Sequence, residues 1–215
     1  AVSRAITTST SSSAADLGDD WRVNLKIPDE ISDSPVFEPF DATGNRMVFP
    51  INPTIVMGQR SNYQSITPTH TNYAFHAYQN SQVEDILVTG DFFVQNSDDA
   101  KYWIACVHFL RTMNKMFYGN GEHLGNPPLL TRLNGYGKYV LNDIPVLISQ
   151  FTVDMTSDVD YVPCKVPGDD KLNYVPIQSQ FAVTCTPNYS RRTHSTFDLK
   201  KFAKGGFVGG NEGFV

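Results

Sequence analysis

Two stretches late in the chain alternate strictly between apolar and polar residues. In one, Leu147, Ser149, Phe151, Val153 and Met155 fall on one side, and Ile148, Gln150, Thr152 and Asp154 on the other. In the second, Ile177, Ser179, Phe181, Val183 and Cys185 face one way, and Gln178, Gln180, Ala182 and Thr184 the other. Successive side chains of a strand point to opposite faces, so this period commits both stretches to a sheet with one buried face and one polar face. Residues 84–94 carry the same signature, with Ile86, Val88, Gly90, Phe92 and Val94 on a common face. Further strands are expected at Trp21–Ile27, Arg46–Phe49, Asn72–Tyr78, Pro128–Leu133 and Lys138–Leu141, with the late pair bounded as Pro145–Met155 and Pro176–Thr186. Gln79–Gln82 and Asp41–Asn45 read as turns, and Pro28, Pro35 and Pro39 as marks of an extended connection. The polar faces of the two late strands carry neither Lys nor Arg, which fits either a solvated sheet face or the wall of a channel.

One segment departs from this period. Residues 98–118 read as a helix, with Asn96 or Ser97 as N-cap, Asp98 and Asp99 in the first turn, Lys115 in the last and Gly119 at the left-handed stop. On a helical wheel, Trp103, Val107, Leu110 and Phe117 form one apolar side. Tyr102, Cys106, Phe109, Met113 and Met116 form an adjoining one, leaving Lys101, His108, Arg111 and Lys115 for solvent. A helix lying on one sheet needs an apolar stripe of about 100°, and this arc is about twice as wide. It therefore calls for a second cover, from an arm of the same chain or from a neighbouring subunit. Many strands and one long helix give an α+β class: a rolled antiparallel sheet, barrel or sandwich, flanked by one α-helix.

The ends differ from the middle. Residues 1–20 are rich in Ser, Thr and Ala, and residues 205–215 are rich in Gly with Phe207 and Phe214 spaced like anchors. Both are expected to be arms that lie on neighbouring subunits, with residues 21–204 forming the domain. Charged residues make up only 18% of the chain, fewer than a lone soluble domain generally carries, which points to surface covered by partners. The formal net charge of −5 argues against a grip on nucleic acid through its phosphates, but not against nucleic acid sliding past. No stretch approaches the length of a membrane span, and no apolar leader is visible at the start.

Little in the sequence reads as chemistry. His70, His76, His108, His123 and His194 show no metal-ligand spacing with one another or with Cys or acid, and His70 and His76 would lie about 20 Å apart on a straight strand. Cys106, Cys164 and Cys185 have no paired spacing and read as buried reduced thiols. Asp98/Asp99 are accounted for by the helix start, and Asp19/Asp20, Asp158/Asp160 and Asp169/Asp170 by loops. The Gly-rich run 119–128 follows a helix, whereas phosphate loops precede one. The clusters Arg191-Arg192 and Lys200-Lys201-Lys204 read as solvated surface. No catalytic residue, cofactor or metal is expected; the chain reads as a non-enzyme.

The segments 90–119, 125–130, 142–155 and 175–191 together resemble the tube-like baseplate and tail tube proteins of large contractile-tailed bacteriophages. In that family a strand leads through a polar turn into a helix with a Phe-Tyr-Gly type stop, a further strand carries a Pro/Gly turn, and a long late strand closes the domain. The resemblance implies a β-barrel or sandwich with one flanking helix, six copies in a ring whose sheets merge into a channel wall, DNA passing through without specific binding, and adjacent tube or baseplate proteins as partners in the virion tail. Under this reading Tyr102, Cys106, Phe109, Met113 and Met116 form the seam between subunits. The competing expectation is a ligand- or glycan-binding β-sandwich module, whose aromatics would cluster on an exposed strand face.

Overall fold

The two alternating stretches pair with each other, as strands Leu141–Met155 and Gln178–Pro187, near the middle of a seven-stranded antiparallel sheet. The computed structural model describes residues 21–118, 124–169, 171–207 and 213–215. Its strands are β1 (Asn24–Lys26), β2 (Arg46–Val48), β3 (Thr54–Val56), β4 (Gln59–Ile66), β5 (Phe75–Val83), β6 (Ile86–Phe93), β7 (Thr131–Gly135), β8 (Leu141–Met155), β9 (Tyr161–Lys165), β10 (Leu172–Pro176) and β11 (Gln178–Pro187). The helices are α1 (Ser97–Met113) and the short α2 (Arg191–Ser195) and α3 (Leu199–Ala203). The main sheet runs β2-β1-β7-β8-β11-β6-β3, and β9–β10 and β4–β5 form two separate ribbons.

The main sheet is rolled but not closed. Six strand spacings of about 4.8 Å would set the edges of a flat sheet about 29 Å apart. The chain from Val48, at the end of one edge strand, to Thr54, at the start of the other, reaches at most about 21 Å. The edges must therefore curl toward each other. Phe49, on this short link, packs against Phe92 of β6 with ring centroids 5.7 Å apart. Gly90 makes room for it, since a Cβ there would come within 2.7 Å of the Phe49 ring. Yet β2 and β3 do not pair, so the expected roll is present while a closed barrel is not.

The core faces of β6 and β11 follow the alternation: Ile86, Val88, Gly90, Phe92, Phe181, Val183 and Cys185 are buried. β8 does not follow it throughout. Thr184 pairs with Gln150 but Cys185 with Ile148, so Ser149 is an extra residue and the strand bulges there. A bulge exchanges the faces on either side of it. Before it Val146 and Ile148 point inward; after it Phe151 and Val153 do; Ser149 and Gln150 are both exposed. The expectation that Leu147 and Ser149 share a face with Phe151 is corrected by this one inserted residue.

α1 lies on the core face. Asn96 caps it, its side-chain oxygen accepting from the backbone N–H of Asp98 and Asp99. Trp103 Nε1–H donates to Ser179 Oγ at 2.8 Å, and its ring meets Phe181 edge-on at 5.9 Å. The second apolar side is covered by this chain. Residues 35–43 form three-residue-turn helix rather than the extended connection expected from the prolines. Their Phe37 and Phe40 sit three apart, on one side of such a turn, and meet Phe109 with ring centroids 6.4 and 6.2 Å away. The ribbon β9–β10 covers a further part of the helix with Cys164 and Val175, both buried. The helix ends at Met113 rather than at 118, because Phe117 turns away to exchange backbone hydrogen bonds with Gly125 and Asn126. Beyond the one flanking helix expected, α2 and α3 follow β11.

Phe109→Ala should lower the unfolding free energy by about 3–5 kcal/mol, the range for emptying a packed aromatic site. Met116→Ala, at an exposed position, should change it by less than about 0.5 kcal/mol. Urea midpoints of the two variants measure both.

Candidate assembly surfaces

β4 and β5 leave the main sheet as a continuation of β3 and β6. Glu84 N–H donates to Gly58 O at the base, and eight paired positions carry the ribbon outward by about 25 Å. Every residue of β5 is exposed, and every residue of β4 but Asn62. Its cross-strand contacts are internal: Asn62 Nδ2 to Asn80 Oδ1 at 2.8 Å, Ser61 with Ser81 at 3.1 Å, and Tyr63 edge-on to Tyr78 at 5.7 Å. Large apolar surface stays open along it: Tyr73, Phe75, Tyr78, Tyr63 and Ile66 are all at least half exposed. Between Gln59 and Val83 Arg60 is the only charge apart from two histidines, and it pairs with Glu84 at 2.9 Å. Natural edge strands are usually blunted by lysines, prolines or short length. This ribbon has none of these within its strands, and a two-stranded hairpin alone in water is marginal.

The outer face of the main sheet is the second surface. Gln178, Gln180, Ala182 and Thr184 of β11 lie between Phe93, Asp91, Thr89 and Leu87 of β6 on one side and Asp154, Thr152 and Gln150 of β8 on the other. Gln180 Nε2–H donates to Asp91 Oδ1 at 2.9 Å, and Thr186 Oγ1–H to Asp85 Oδ1 at 2.7 Å. No Lys or Arg occurs in β3, β6, β8 or β11. The wall is thus mostly polar, slightly acidic and without cations, as the alternation of β11 and of the distal half of β8 foretells, with Leu87 and Phe93 of β6 exposed at its two ends.

The residues expected at a subunit seam do not form an open surface. Cys106, Phe109 and Met113 are 0% exposed within the single chain. Tyr102 is half-buried, its hydroxyl donating to Val48 O and accepting from Val48 N–H, both at 2.7 Å, so that it caps the edge strand β2. Burial, with Cys106 alongside, holds the Tyr102 hydroxyl well above its usual pKa. Of the five, Met116 alone is exposed, beyond the end of α1. This corrects the seam at Cys106, Phe109 and Met113: the wide apolar arc is real, and residues 35–43 and the β9–β10 ribbon of the same chain cover it there. In the single chain Phe207 and Phe214, the anchors of the expected C-terminal arm, pack on Phe197 of their own chain. The expected arm 1–20 and His123 lie outside the described residues.

The groups weighed for chemistry remain apart. His70, His76, His108 and His194 are exposed, and among the described residues no group of three His, Cys, Asp or Glu could hold a metal ion. No described helix is long and apolar enough to cross a membrane. Asp98 and Asp99 stand in the first turn of α1 as expected. Cys106, Cys164 and Cys185 are free and buried. Burial raises all three thiol pKa values, and for Cys185, with Asp85 adding to the effect, to about 12. The strand expected at Asn72–Tyr78 overlaps β5, but β4, and with it the hairpin as a surface, is not foreseen in the sequence. Its strands lack alternation because neither face is buried, and the Tyr and Asn residues repeated across 62–80 were the available signal.

No protein-family model and no curated protein sequence matches the chain.

Because a thiolate is the reactive form, iodoacetamide at pH 8 should label none of the three cysteines in the folded chain and all three in denaturant. Mass spectrometry of the labelled chain checks this, and native-state labelling at Cys185 would contradict its burial.

Proposed function

We propose that the chain is a structural subunit of a contractile bacteriophage tail, forming a ring of the tube or of the baseplate layer that initiates it. The observation that carries this reading is the uncovered β4–β5 ribbon. A long ribbon with both faces and both edges in solvent gains its stability by lying on another protein, and a ring of identical copies supplies such a surface to every member. Two further features support it. The main sheet is open, with β3 paired on one side only, so sheets of adjacent copies can continue one another. The outer face offers uncharged polar groups, a few carboxylates and two apolar side chains, Leu87 and Phe93, with no cation among its strands, a wall past which phosphates slide without sticking. Six copies and passage of DNA follow from the resemblance in the 90–191 region. No catalytic step is proposed.

A second reading keeps one observation in its favour. Tyr63, Tyr73, Phe75 and Tyr78 present exposed rings on one ribbon, and sugar rings stack on such surfaces. This is the ligand- or glycan-binding module, and it predicts a monomer whose ribbon binds saccharide.

Negative-stain images and light scattering of the purified chain over a concentration series should show rings or stacks of rings. A chain that stays monomeric throughout overturns the proposal. Tyr63→Asp with Tyr78→Asp should leave the circular dichroism spectrum unchanged and abolish assembly; under the glycan reading the same pair removes saccharide binding from a chain that was monomeric already.

A further inference from the structure

The tripeptide Gly-Phe-Val occurs twice near the end of the chain, at 206–208 and 213–215. The second copy is seated in a niche whose three parts each select one residue. Gly213 is buried, and its N–H donates to Asp143 O at 3.4 Å. A Cβ at this position would fall on the carbonyl oxygen of Asn142, so the first place accepts glycine alone. Phe214 stacks on Tyr189 with centroids 5.0 Å apart and planes 19° from parallel. It also stands edge-on to Phe197 and Phe207, each at 5.1 Å, so the second place selects an aromatic ring. Val215 packs against the core and donates its N–H to Tyr189 Oη at 3.1 Å, so the third place selects an aliphatic residue.

The receiving side is fixed independently of the segment it holds. Asp143 has a left-handed backbone, φ 50°, at the head of β8. Its carboxylate and carbonyl accept from Arg132 Nη1 at 3.2 and 3.3 Å, and its N–H donates to Asn134 Oδ1 at 2.8 Å. These bonds aim the carbonyls of residues 142 and 143 at the place of Gly213. A preformed pattern of backbone acceptors with one aromatic slot is a way peptides are recognised.

We infer that this niche is a binding site for a Gly-aromatic-aliphatic peptide segment, and that in the assembled state its occupant is residues 213–215 of a second copy. The second half rests on the self-assembly reading above. Every copy carries both the niche and the segment that fits it, and the contacts named here are made by residues 213–215. The segment of another copy can therefore make the same contacts, and exchange between copies links them head to tail.

The probe is a fluorescent acetyl-Asn-Glu-Gly-Phe-Val-amide, matching residues 211–215 with both ends blocked. Gly213→Ala in the full chain unseats the resident segment and leaves the niche intact. By anisotropy this variant should bind the probe saturably and at least about 10-fold tighter than the unaltered chain, whose own segment competes at high effective concentration. A probe with Ala in place of its Gly should bind the variant at least about 10-fold more weakly. Absence of saturable binding to the variant, or equal binding of the two probes, overturns the site. Saturating probe should also disperse assemblies of the unaltered chain, while the Ala probe leaves them whole. Assemblies indifferent to the probe remove the second copy as occupant. A chain that is monomeric at every concentration removes it too, and that outcome alone also removes the proposed function; the binding arm is read on single copies either way.

Discussion

Trp103 reaches from the middle of α1 to Ser179 on β11, and on the adjoining side of the same helix Phe109 sits against Phe37 and Phe40. This two-sided grip is the constraint on which the rest of the architecture depends. A helix with an apolar arc of about twice the usual width can be stable only between two covers. The sheet supplies one. Residues 35–43 supply the other, and because they lead directly into β2, the cover and the sheet edge are positioned together. Tyr102 ties the three together, with its ring edge-on to Phe40 and its hydroxyl on the backbone of Val48. The buried Trp103–Ser179 bond adds about 1 kcal/mol net, but leaving either partner unpaired would cost about 1–3 kcal/mol, so it specifies the seating of the helix more than it strengthens it.

Since the helix is complete within one chain, the apolar surface left to other molecules lies elsewhere. A continuous part of it, from Tyr63 and Ile66 to Tyr73, Phe75 and Tyr78, lies on the β4–β5 ribbon, which the core does not support. The physical situation there is the reverse of that around α1. The ribbon's hydrogen bonds run across its two strands, with side-chain ladders of Asn, Ser and Tyr adding a few tenths of a kcal/mol to about 1 kcal/mol each, and no third layer buries either face. A folded domain with a self-sufficient core and one unsupported ribbon can be stored as a single copy and still present a large adhesive surface.

The main sheet was legible where burial is one-sided and the register unbroken. In β6 and β11 each residue's face follows from parity, and the structure agrees. In β8 parity fails at Ser149, since a single inserted residue leaves no mark in composition and is fixed only by pairing with β11. The prolines of residues 28–39 suggested extended chain, but Pro fixes φ at a value that tight helical turns share with extended segments, and Phe37 with Phe40 decides for the turn by packing. Residues 79–82 read as a turn because Gln-Asn-Ser-Gln has turn composition; they lie within β5, whose strand character comes from pairing with β4 rather than from a buried face. Of the candidate surfaces, the cation-free wall was readable from the alternation. The seam on α1 was not, because the width of an apolar arc shows that a second cover exists and not which part of which chain provides it.

The same distinction governs the end of the chain. Phe207 and Phe214 stand out in sequence as anchors among glycines, and anchors they are, but their spacing carries no information on the surface that receives them. That surface arises from β8. The left-handed Asp143 turns the strand's first carbonyls outward, Tyr189 and Phe197 follow β11 into a small aromatic cluster, and Gly213 fits because it alone lacks the atom that would strike Asn142. β8 thus runs from this niche at one end to the polar wall at the other, with the bulge at Ser149 between them. The inserted residue that defeats the parity reading is also what lets Val146 and Ile148 fill the core near the niche while Gln150, Thr152 and Asp154 face outward on the wall. One strand of a single register could not place Ile148 and Phe151 on the same side, and without both there the sheet would lose either its core or its cation-free outer face.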